Sequence, residues 1–418
     1  MSAAAEPAPR IAFAFTGQGA QYPGMTTRLY AGHDGYRRHL DEAAEALRPY
    51  TGTSVADLLV NGDLRVHQTG FTQPTMFAVE YALAATLQDA GVRPVAVIGH
   101  SIGEFAAAVL AGALDLEDAA LLVAVRGAYM QYLPSGGGML AVRAEPERLT
   151  ALVENEPRVG FGAFNGPRAT VLSGDLRVLE RIHDELGRRG VAGRLLQVSH
   201  AFHSPLMQPM LQRFARVAAR VRPRAPRLPF YSTVRGRRLL NEALDALYWT
   251  EHISAPVRFE QAARRLLAEQ APDTVLEIGP KPVLANLVKA LAGDGGPACL
   301  PVCRGEDTDA AALAAVIGGL GLGSAERDQV QEAVYASVAR LVDDPSVLIG
   351  PDLALRGDLG FDSVMVMQLT FQLEKRLPAL GKLSLPDMLD SLVTPATLVE
   401  YLRAQLSAGA GVPTGLAA

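Results

Sequence analysis

Cysteine is scarce in this sequence of 418 residues, which contains only Cys299 and Cys303. Two cysteines exclude the disulfide framework that holds many small secreted domains together. Their C-x3-C spacing has no histidine nearby, so it makes a poor zinc site. We therefore expect two incidental thiols, no bound metal and no catalytic Cys/His pair.

Long apolar runs and a strong net charge are also missing. No stretch is apolar for long enough to cross a membrane, and the first ten residues lack the basic and apolar segments of a secretion signal. We expect a cytoplasmic protein without a membrane partner. A net charge of −5 gives no indication of nucleic-acid binding. The length and an apolar content of 49% are those of an ordinary globular protein with two or three domains.

Short apolar runs alternate with longer helical patterns through most of the chain. Arg10–Phe15, Val95–Ile98 and Thr274–Ile278 have the composition of buried strands. This alternation predicts a mainly parallel α/β sheet. Residues of about 137–198 instead follow the order βαββαβ, with a helix expected over Glu145–Asn155, which is the ferredoxin-like pattern. We predict a large α/β subdomain into which a smaller ferredoxin-like subdomain is inserted.

The C-terminal part has a different composition. Residues 326–403 contain twelve acidic and seven basic side chains, and their pattern is helical. A four-helix bundle is predicted from helices over Glu326–Val342, Ser363–Leu377, Leu385–Leu392 and Pro395–Leu406. The predicted organisation is an α/β domain over 1–303, a linker over 304–325, the acidic bundle over 326–406 and a flexible tail over 407–418.

The clearest chemical motif is Gly99-His100-Ser101-Ile102-Gly103, which fits G-x-S-x-G between a predicted strand and a predicted helix. That context favours a nucleophilic serine on a sharp turn, as in an α/β-hydrolase-like subdomain; an ordinary turn serine is the alternative. A serine nucleophile needs a base, and His203 is the candidate. The remaining histidines outside these motifs lie in polar or loop-like stretches without a partner motif: His33, His39, His67, His183 and His252.

Five ordered motifs give the sequence a specific family resemblance. They are FTGQGAQYPGM (Phe15–Met25), GHSIGEFAAAVLAGAL (Gly99–Leu114), AVRGAYMQ (Ala124–Gln131), SHAFHSPLM (Ser199–Met207) and LEIGPKPVL (Leu276–Leu284). Together they resemble the malonyl-CoA:acyl-carrier-protein transacylase family, and most of all the acyltransferase domains of polyketide synthases. The resemblance covers about residues 10–303.

The resemblance implies a role for each matching residue. Ser101 would be the acylated nucleophile and His203 its general base. A backbone carbonyl, matched to Gln270, would orient the histidine. The backbone N–H groups of Gln18 and Ile102 would form the oxyanion hole.

Four further positions concern the acyl group. Arg126 matches the arginine that holds the free carboxylate of malonyl or methylmalonyl groups, whereas a lone arginine on a helix is more often a solvated charge. His200 and Phe202 belong to the HAFH motif, which resembles the malonyl-selecting version, although Phe202 could also be a core residue. Asn165 matches a polar position that faces the site.

A second resemblance lies in the acidic bundle. GDLGFDSVMVMQL (Gly357–Leu369) is similar to the signature of acyl carrier proteins. Ser363 matches the serine that receives 4′-phosphopantetheine, a modification that implies a phosphopantetheinyl transferase as partner. The alternative is a serine that merely caps a helix.

The two resemblances predict one activity: transfer of a malonyl group from malonyl-CoA, a coenzyme A thioester, to its own or a partner's acyl carrier protein. The sequence contains no ketosynthase segment, so a separate ketosynthase is expected as a partner. The alternatives are transfer of another carboxylated group such as methylmalonyl, hydrolysis of stalled carriers, and an idle first domain that only delivers the carrier. Arg126 argues against hydrolysis.

Overall fold

The computed structural model describes residues 9–320, 329–342, 353–388 and 391–409. Backbone contacts divide the chain into two compact units, Met1–Leu322 and Gly323–Ala418. In the described part of the chain, no helix combines the length and apolarity that crossing a membrane requires. The predicted α/β part followed by a helical part is confirmed, and each unit is described by itself below.

The elements of the described residues are numbered in chain order. The strands are β1 (Ile11–Phe15), β2 (Pro94–Gly99), β3 (Gly137–Val142), β4 (Val159–Gly166), β5 (Ala169–Asp175), β6 (Gly193–Leu195), β7 (Phe230–Ser232), β8 (Arg237–Arg238), β9 (Thr274–Ile278) and β10 (Ala298–Pro301). The helices of the first unit are α1 (Thr27–Gly32), α2 (Asp34–Thr51), α3 (Val55–Val60), α4 (Thr69–Asp89), α5 (Gly103–Leu110), α6 (Leu116–Gln131), α7 (Thr150–Glu154), α8 (Leu176–Arg188), α9 (Gln208–Ala218), α10 (Ala246–Ser254), α11 (Phe259–Gln270), α12 (Leu284–Ala292) and α13 (Ala310–Gly318). Those of the second unit are α14 (Gln329–Leu341), α15 (Ser363–Arg376), α16 (Leu385–Met388) and α17 (Pro395–Gly409).

The large subdomain is built on a sheet with the strand order β10-β9-β1-β2-β7-β8. Its strands are parallel except β8, which pairs antiparallel with β7. In the central strand β1, Phe13 lies beside Val97 of β2 and Leu276 of β9. Such a sheet places the carboxyl ends of its parallel strands at one edge, where α/β proteins bind ligands.

Strand β1 shows why a continuous apolar run forms here. Alternate side chains of a strand point to opposite faces, and all five residues of β1 are buried. Phe13 and Phe15 belong to the core on one face, whereas Ala12 and Ala14 belong to the core on the other. The sheet is therefore covered on both faces, as the unbroken apolar pattern predicted.

The inserted subdomain has a four-stranded sheet with the order β4-β5-β3-β6, in which every pair is antiparallel. This is the predicted ferredoxin-like arrangement. The helix expected over Glu145–Asn155 is shorter than predicted, because Pro146–Arg148 forms a 3-10 turn before α7. The two subdomains meet where Ala163 of β4 forms an isolated bridge with Val257, in the connection between α10 and α11.

The predicted linker over 304–325 is wrong in its first part. Helix α13 lies within it, and Leu313 and Leu320 are buried in the core of the first unit. The boundary was predicted at the end of the family resemblance, yet Leu313 of α13 and Leu320, two residues after the helix, pack in that core. Residues 321–325 of the predicted linker lie outside the described residues.

The second unit has its own hydrophobic core. Val334 of α14, Leu369 and Leu373 of α15, and Leu398 and Leu402 of α17 are buried in it. Helix α17 begins at the predicted residue, with the Thr397 backbone N–H donating to Thr394 Oγ1 over 3.3 Å. The helix continues to Gly409, into the predicted tail of 407–418, of which residues 410–418 lie outside the described residues.

Candidate active site

Ser101 lies on a sharp turn between β2 and α5. Its φ angle is +50°, a left-handed conformation that residues with a side chain rarely adopt. The two flanking glycines let the turn pack tightly: a Cβ on Gly99 would collide with the backbone of Glu104, and one on Gly103 with that of Thr16. The turn therefore has the strained strand-to-helix geometry of a nucleophile elbow.

Ser101 and His203 are brought together although 102 positions separate them in the chain. Ser101 Oγ lies 2.6 Å from His203 Nε2. His203 Nδ1 lies 2.9 Å from the backbone carbonyl oxygen of Ala255. Because a carbonyl only accepts, Nδ1 carries the proton and Nε2 is left to accept the hydroxyl hydrogen of Ser101. This is the arrangement that a serine nucleophile and its general base require.

The surroundings keep His203 neutral. Burial, the positive charge of Arg126 and His100 all lower its pKa, and the hydrogen bond to Ala255 only partly offsets them, so the pKa lies at about 3. Burial disfavours the charged form of an imidazole, and a neighbouring cation disfavours it further. His203 is therefore available as a base at any pH well above 3.

The residue that orients His203 differs from the predicted one. The carbonyl oxygen of Gln270, predicted for this role, instead accepts a hydrogen bond from Arg10 Nε over 2.9 Å, and Gln270 Nε2 donates to the Tyr231 hydroxyl over 3.0 Å. Gln270 ends α11, whereas Ala255 sits in the extended connection that follows α10. The prediction was wrong because it rested on distance to the GP pair, which does not locate a backbone carbonyl.

Arg126 extends from α6 toward Ser101 and is only 2% exposed. Its Nη1 donates to Gln73 Oε1 over 2.7 Å, and its Nη2 lies 3.4 Å from Ser101 Oγ. Within residues 9–320, no carboxylate lies within ion-pair distance of Arg126, and its Nε has no hydrogen-bond partner. Burial lowers its pKa to about 9, while the negative charge of Glu104 acts to raise it. A buried cation beside the nucleophile is thus left to bind an anion.

A chain of hydrogen bonds links Arg126 to the loop after β1. Gln73 Nε2 donates to Thr69 Oγ1 over 3.2 Å, and Thr69 Oγ1 donates to Gln18 Oε1 over 3.0 Å. In the described contacts of residues 9–320, the backbone N–H groups of Gln18 and Ile102 donate to no protein acceptor. Both are therefore free to donate to a ligand, and their role as an oxyanion hole stays a prediction.

The other predicted substrate residues make mainly structural contacts. Asn165 Oδ1 lies 2.8 Å from His100 Nε2, so it fixes the residue before the nucleophile. His200 Nε2 lies 3.2 Å from the carbonyl oxygen of Leu133. Phe202 is 7% exposed and belongs to the main core, and its ring centroid lies 6.2 Å from that of His200. Their effect on acyl selectivity stays a prediction.

Sequence reasoning missed three polar residues of the site. His252, placed among the histidines without a partner, is 1% exposed, and its Nε2 lies 3.0 Å from the Ser101 carbonyl oxygen. Glu104 is fully buried beneath the elbow, and burial raises its pKa to about 7. Gln73 is fully buried in α4. A glutamine and a glutamate within otherwise apolar helices were the signal that could have drawn attention to the last two.

A cleft of about 590 Å³ opens beside His203. Its walls come from α7, from β4, from the turn that leads into α9, and from the end of α10 with the connection after it: Val153, Gly160, Phe161, Phe164, Pro205, Gln208, Ser254, Pro256 and Arg258. The cleft lies where the two subdomains of the first unit meet. A substrate entering along this cleft would arrive at His203, the base of the Ser101–His203 pair.

Ser363 is the exposed first residue of α15 in the second unit. The carboxylate of Asp362 caps the helix by accepting hydrogen bonds from the N–H groups of Val364 and Met365, over 2.9 and 2.8 Å. Ser363 is therefore not needed as the cap, which was the alternative to a modification site. Ser363 lies at a helix N-terminus, where the helix dipole favours a phosphate.

Comparison with known proteins agrees with this geometry. Residues 12–319 match the family described as acyl transferase domain, and residues 332–402 match the phosphopantetheine attachment site. Polyketide synthase GfsA of Streptomyces halstedii is 40% identical over 325 residues, which cover 74% of this chain but 4% of that protein. The chain thus spans a small fraction of the length of this relative.

Solved structures show the same fold for the first unit. The acyltransferase domain from the second module of the salinomycin polyketide synthase is 41% identical, with a TM-score of 0.69 over 73% of this chain and 72% of that one. The malonyl CoA-acyl carrier protein transacylase from Clostridium perfringens is 28% identical, with a TM-score of 0.67 over 74% and 97% of the two chains. Because the family match covers most of its length, this chain belongs to the acyl transferase domain family and carries a phosphopantetheine attachment domain after it.

Proposed function

We propose that this chain transfers a malonyl group from malonyl-CoA, through an ester on Ser101, to the phosphopantetheine arm of an acyl carrier domain, its own or a partner's. The observation that carries the proposal is the position of Arg126, a buried cation 3.4 Å from Ser101 Oγ with no carboxylate partner in residues 9–320. A guanidinium binds a carboxylate through two parallel hydrogen bonds. The free carboxylate of a malonyl group supplies that missing partner.

The first half of the reaction follows from the Ser101–His203 contact. As Ser101 Oγ attacks the thioester carbon, His203 Nε2 takes the hydroxyl proton across 2.6 Å. The negative charge that develops on the thioester oxygen is stabilised by the backbone N–H groups of Gln18 and Ile102. Coenzyme A leaves as a thiol with the proton that His203 returns to it, and the malonyl group remains as an ester on Ser101.

The second half returns the enzyme to its starting state. A phosphopantetheine arm on Ser363, or on a partner's carrier, would supply a terminal thiol as the acyl acceptor. His203 would accept the proton of that thiol as its sulfur bonds to the malonyl carbonyl carbon, and the same two N–H groups would stabilise the oxyanion. The bond from that carbon to Ser101 Oγ would then break, Ser101 would recover its hydrogen from His203, and the malonyl group would remain on the arm as a thioester. Attachment of the arm at Ser363 is supported by its exposed position at the start of α15 and requires a phosphopantetheinyl transferase as partner.

The choice of acyl group rests on Arg126 and the HAFH motif. An acyl group without a carboxylate would leave Arg126 buried and unpaired, and an unpaired buried charge is costly. Phe202 supports malonyl over methylmalonyl, although one methyl group is worth only about 1–3 kcal/mol of discrimination in an apolar pocket. The resemblance of the chain to segments of polyketide synthases supports a ketosynthase as the consumer of the loaded carrier, in polyketide or related biosynthesis.

The decisive test measures mass on the intact protein. Phosphopantetheinylated chain mixed with malonyl-CoA should gain one malonyl group on Ser101 or on the arm. In the Arg126→Ala variant we expect kcat/KM for malonyl transfer to fall by about 10²-fold, roughly 3 kcal/mol, because a buried charge pair is lost. Acetyl transfer should change by less than about fivefold, since it never used that pair.

Two results would contradict this assignment. If the phosphopantetheinylated chain without substitutions gains no malonyl mass, the proposed loading reaction is refuted. An equal loss of malonyl and acetyl transfer in Arg126→Ala would show that the arginine supports the fold and does not select the carboxylate.

The low pKa of His203 predicts an unusual pH profile. A histidine of ordinary pKa would lose its activity as a base below about pH 6.5. Since burial and Arg126 hold the pKa of His203 at about 3, titration of His203 should not lower kcat/KM for malonyl transfer between pH 8 and about pH 5. Because the pKa of Glu104 beneath the elbow lies at about 7, initial rates across this range are measured on both the original chain and Glu104→Gln, with the fold checked by circular dichroism. An inflection near pH 6.5 that persists in folded Glu104→Gln would contradict the assignment.

A further inference from the structure

The last turn of α10 and the residue after it contact both members of the Ser101–His203 pair. His252, in that turn, has its Nε2 at 3.0 Å from the Ser101 carbonyl oxygen. Ala255, which follows the helix, has its carbonyl oxygen at 2.9 Å from His203 Nδ1. Two residues only three positions apart in the chain thus contact the nucleophile and its base, one each.

The contact of His252 with Ser101 has a defined direction. The Ser101 carbonyl only accepts, so Nε2 of His252 carries the hydrogen and donates it. The same carbonyl also accepts from the N–H of Glu104 over 2.9 Å. His252 Nδ1 has no hydrogen-bond partner among the described residues, and burial strongly lowers the pKa of the ring. The imidazole therefore serves as a neutral, fixed donor to the elbow.

The helix is itself fixed to the elbow through Glu104. Glu104 Oε2 accepts a hydrogen bond from the Tyr248 hydroxyl of α10 over 2.6 Å. Its Oε1 accepts from Thr233 Oγ1 over 2.7 Å, and Thr233 follows β7. Trp249 of α10 also stacks on Phe105 of α5, with ring centroids 4.2 Å apart. A hydrogen bond and an aromatic stack, made by adjacent residues of each helix, therefore connect α5 to α10.

The backbone of Ser101 is strained and needs contacts that hold it in place. A left-handed serine persists only where its surroundings hold it, because such conformations cost about 1–3 kcal/mol. Small displacements of a reacting group lower rates steeply, by about 10²-fold for 1 Å. His252 contacts the Ser101 carbonyl and Ala255 contacts the His203 ring. These two contacts therefore help to set the 2.6 Å separation between Ser101 Oγ and His203 Nε2.

We propose that Tyr248, His252 and Ala255 form a brace, here called the α10 brace, that holds Ser101 and His203 at reacting distance, with His252 as a positioning residue. The inference rests on the proposed function, since it assigns His252 a part in the acylation of Ser101. His252 touches the backbone of Ser101 and donates to no reacting atom.

A matched pair of substitutions tests the brace. His252→Gln retains an N–H donor at about the place of Nε2, whereas His252→Met has similar length and no donor. We expect the rate constant for malonylation of Ser101 to fall about 10- to 100-fold in His252→Met, with half-saturation by malonyl-CoA changed less than about threefold. His252→Gln should recover most of the rate. Labelling of Ser101 by a fluorophosphonate should follow the same order.

His183→Met is the control, because His183 Nε2 also contacts a backbone carbonyl, that of Gly193 at 3.1 Å, in the ferredoxin-like subdomain. It should leave both rates unchanged per folded molecule. Equal rates in His252→Met and the unmodified chain, or equal losses in His252→Met and His252→Gln, would overturn the proposal.

Two further measurements keep the outcome clear. If His252→Met does not fold, Tyr248→Phe removes only the hydroxyl that binds Glu104. It should slow Ser101 labelling several-fold, and an unchanged rate would overturn the brace. If the unmodified chain reacts with the fluorophosphonate but not with malonyl-CoA, the proposed function fails, while the labelling rates of the variants still decide the brace.

Discussion

Replacing Ser101 by alanine is expected to lower the rate of malonyl transfer by on the order of 10⁶-fold, the loss typical of removing a nucleophilic serine. The structure gives the physical reason. Ser101 Oγ lies 2.6 Å from Nε2 of the base His203 and 3.4 Å from Nη2 of Arg126. Without that oxygen no acyl ester forms. Intact-mass measurement after exposure to malonyl-CoA should show an unmodified first unit.

The His203→Ala variant should lose nearly as much, and the double variant should be no slower than either single one. Residues that act as one unit show such non-additive losses. Ser54→Ala is a suitable control, because this serine only caps α3 by accepting from the Asp57 N–H over 3.2 Å. It should cost stability of about 1 kcal/mol and no activity per folded molecule. Multiplicative losses in the double variant would mean that Ser101 and His203 act in separate steps.

Replacing Ser363 by alanine is expected to abolish attachment of phosphopantetheine completely, since Ser363 carries the only hydroxyl in the described first turn of α15. The Ser363→Ala chain should still form the malonyl ester on Ser101, because the two reactions use different units. Ser384→Ala is the matched control: this exposed serine of the second unit precedes α16. It should be modified as fully as the original. Attachment to Ser363→Ala would place the modification on another residue.

Mixing two defective chains extends this prediction. Ser101→Ala keeps a carrier arm and Ser363→Ala keeps a nucleophile. We expect the mixture to load malonyl on the arm of the Ser101→Ala chain, at a rate that rises with concentration, because transfer between separate chains needs only an encounter. If the chain without substitutions loads its arm but the mixture does not, each carrier receives malonyl only from the Ser101 of its own chain.

The sequence was sufficient to predict what depends on side-chain type. A serine between two glycines after an apolar strand has few structural solutions, and the elbow at Ser101 was predicted on that ground. The pairing with His203, far along the chain, came from a set of ordered motifs and needed no spatial reasoning. The alternation of β1 and β9 with helices was likewise enough for the parallel sheet, since both strands are buried on both faces.

What could not be predicted depends on backbone atoms and on where helices end. Every residue has a carbonyl, so nothing in the side chain of Ala255 marks it as the partner of His203. Pro256 was a weak signal, because a residue before proline is held in an extended conformation. His252 was missed because its stretch looked polar, whereas α10 turns it into the core beside Trp249 and Phe105. Its role depends on a neighbour in space, 151 positions away.

Helix α13 has a consequence for how this enzyme can be recombined with others. A junction placed at residue 303, the predicted end of the acyltransferase resemblance, would separate Leu313 and Leu320 from the core that buries them. The acyltransferase part would then expose the core surface that these two leucines cover, and the other part would carry an apolar helix without its packing partner. A junction after residue 320 keeps this surface covered, so the segment to exchange extends beyond the residues that carry the catalytic motifs.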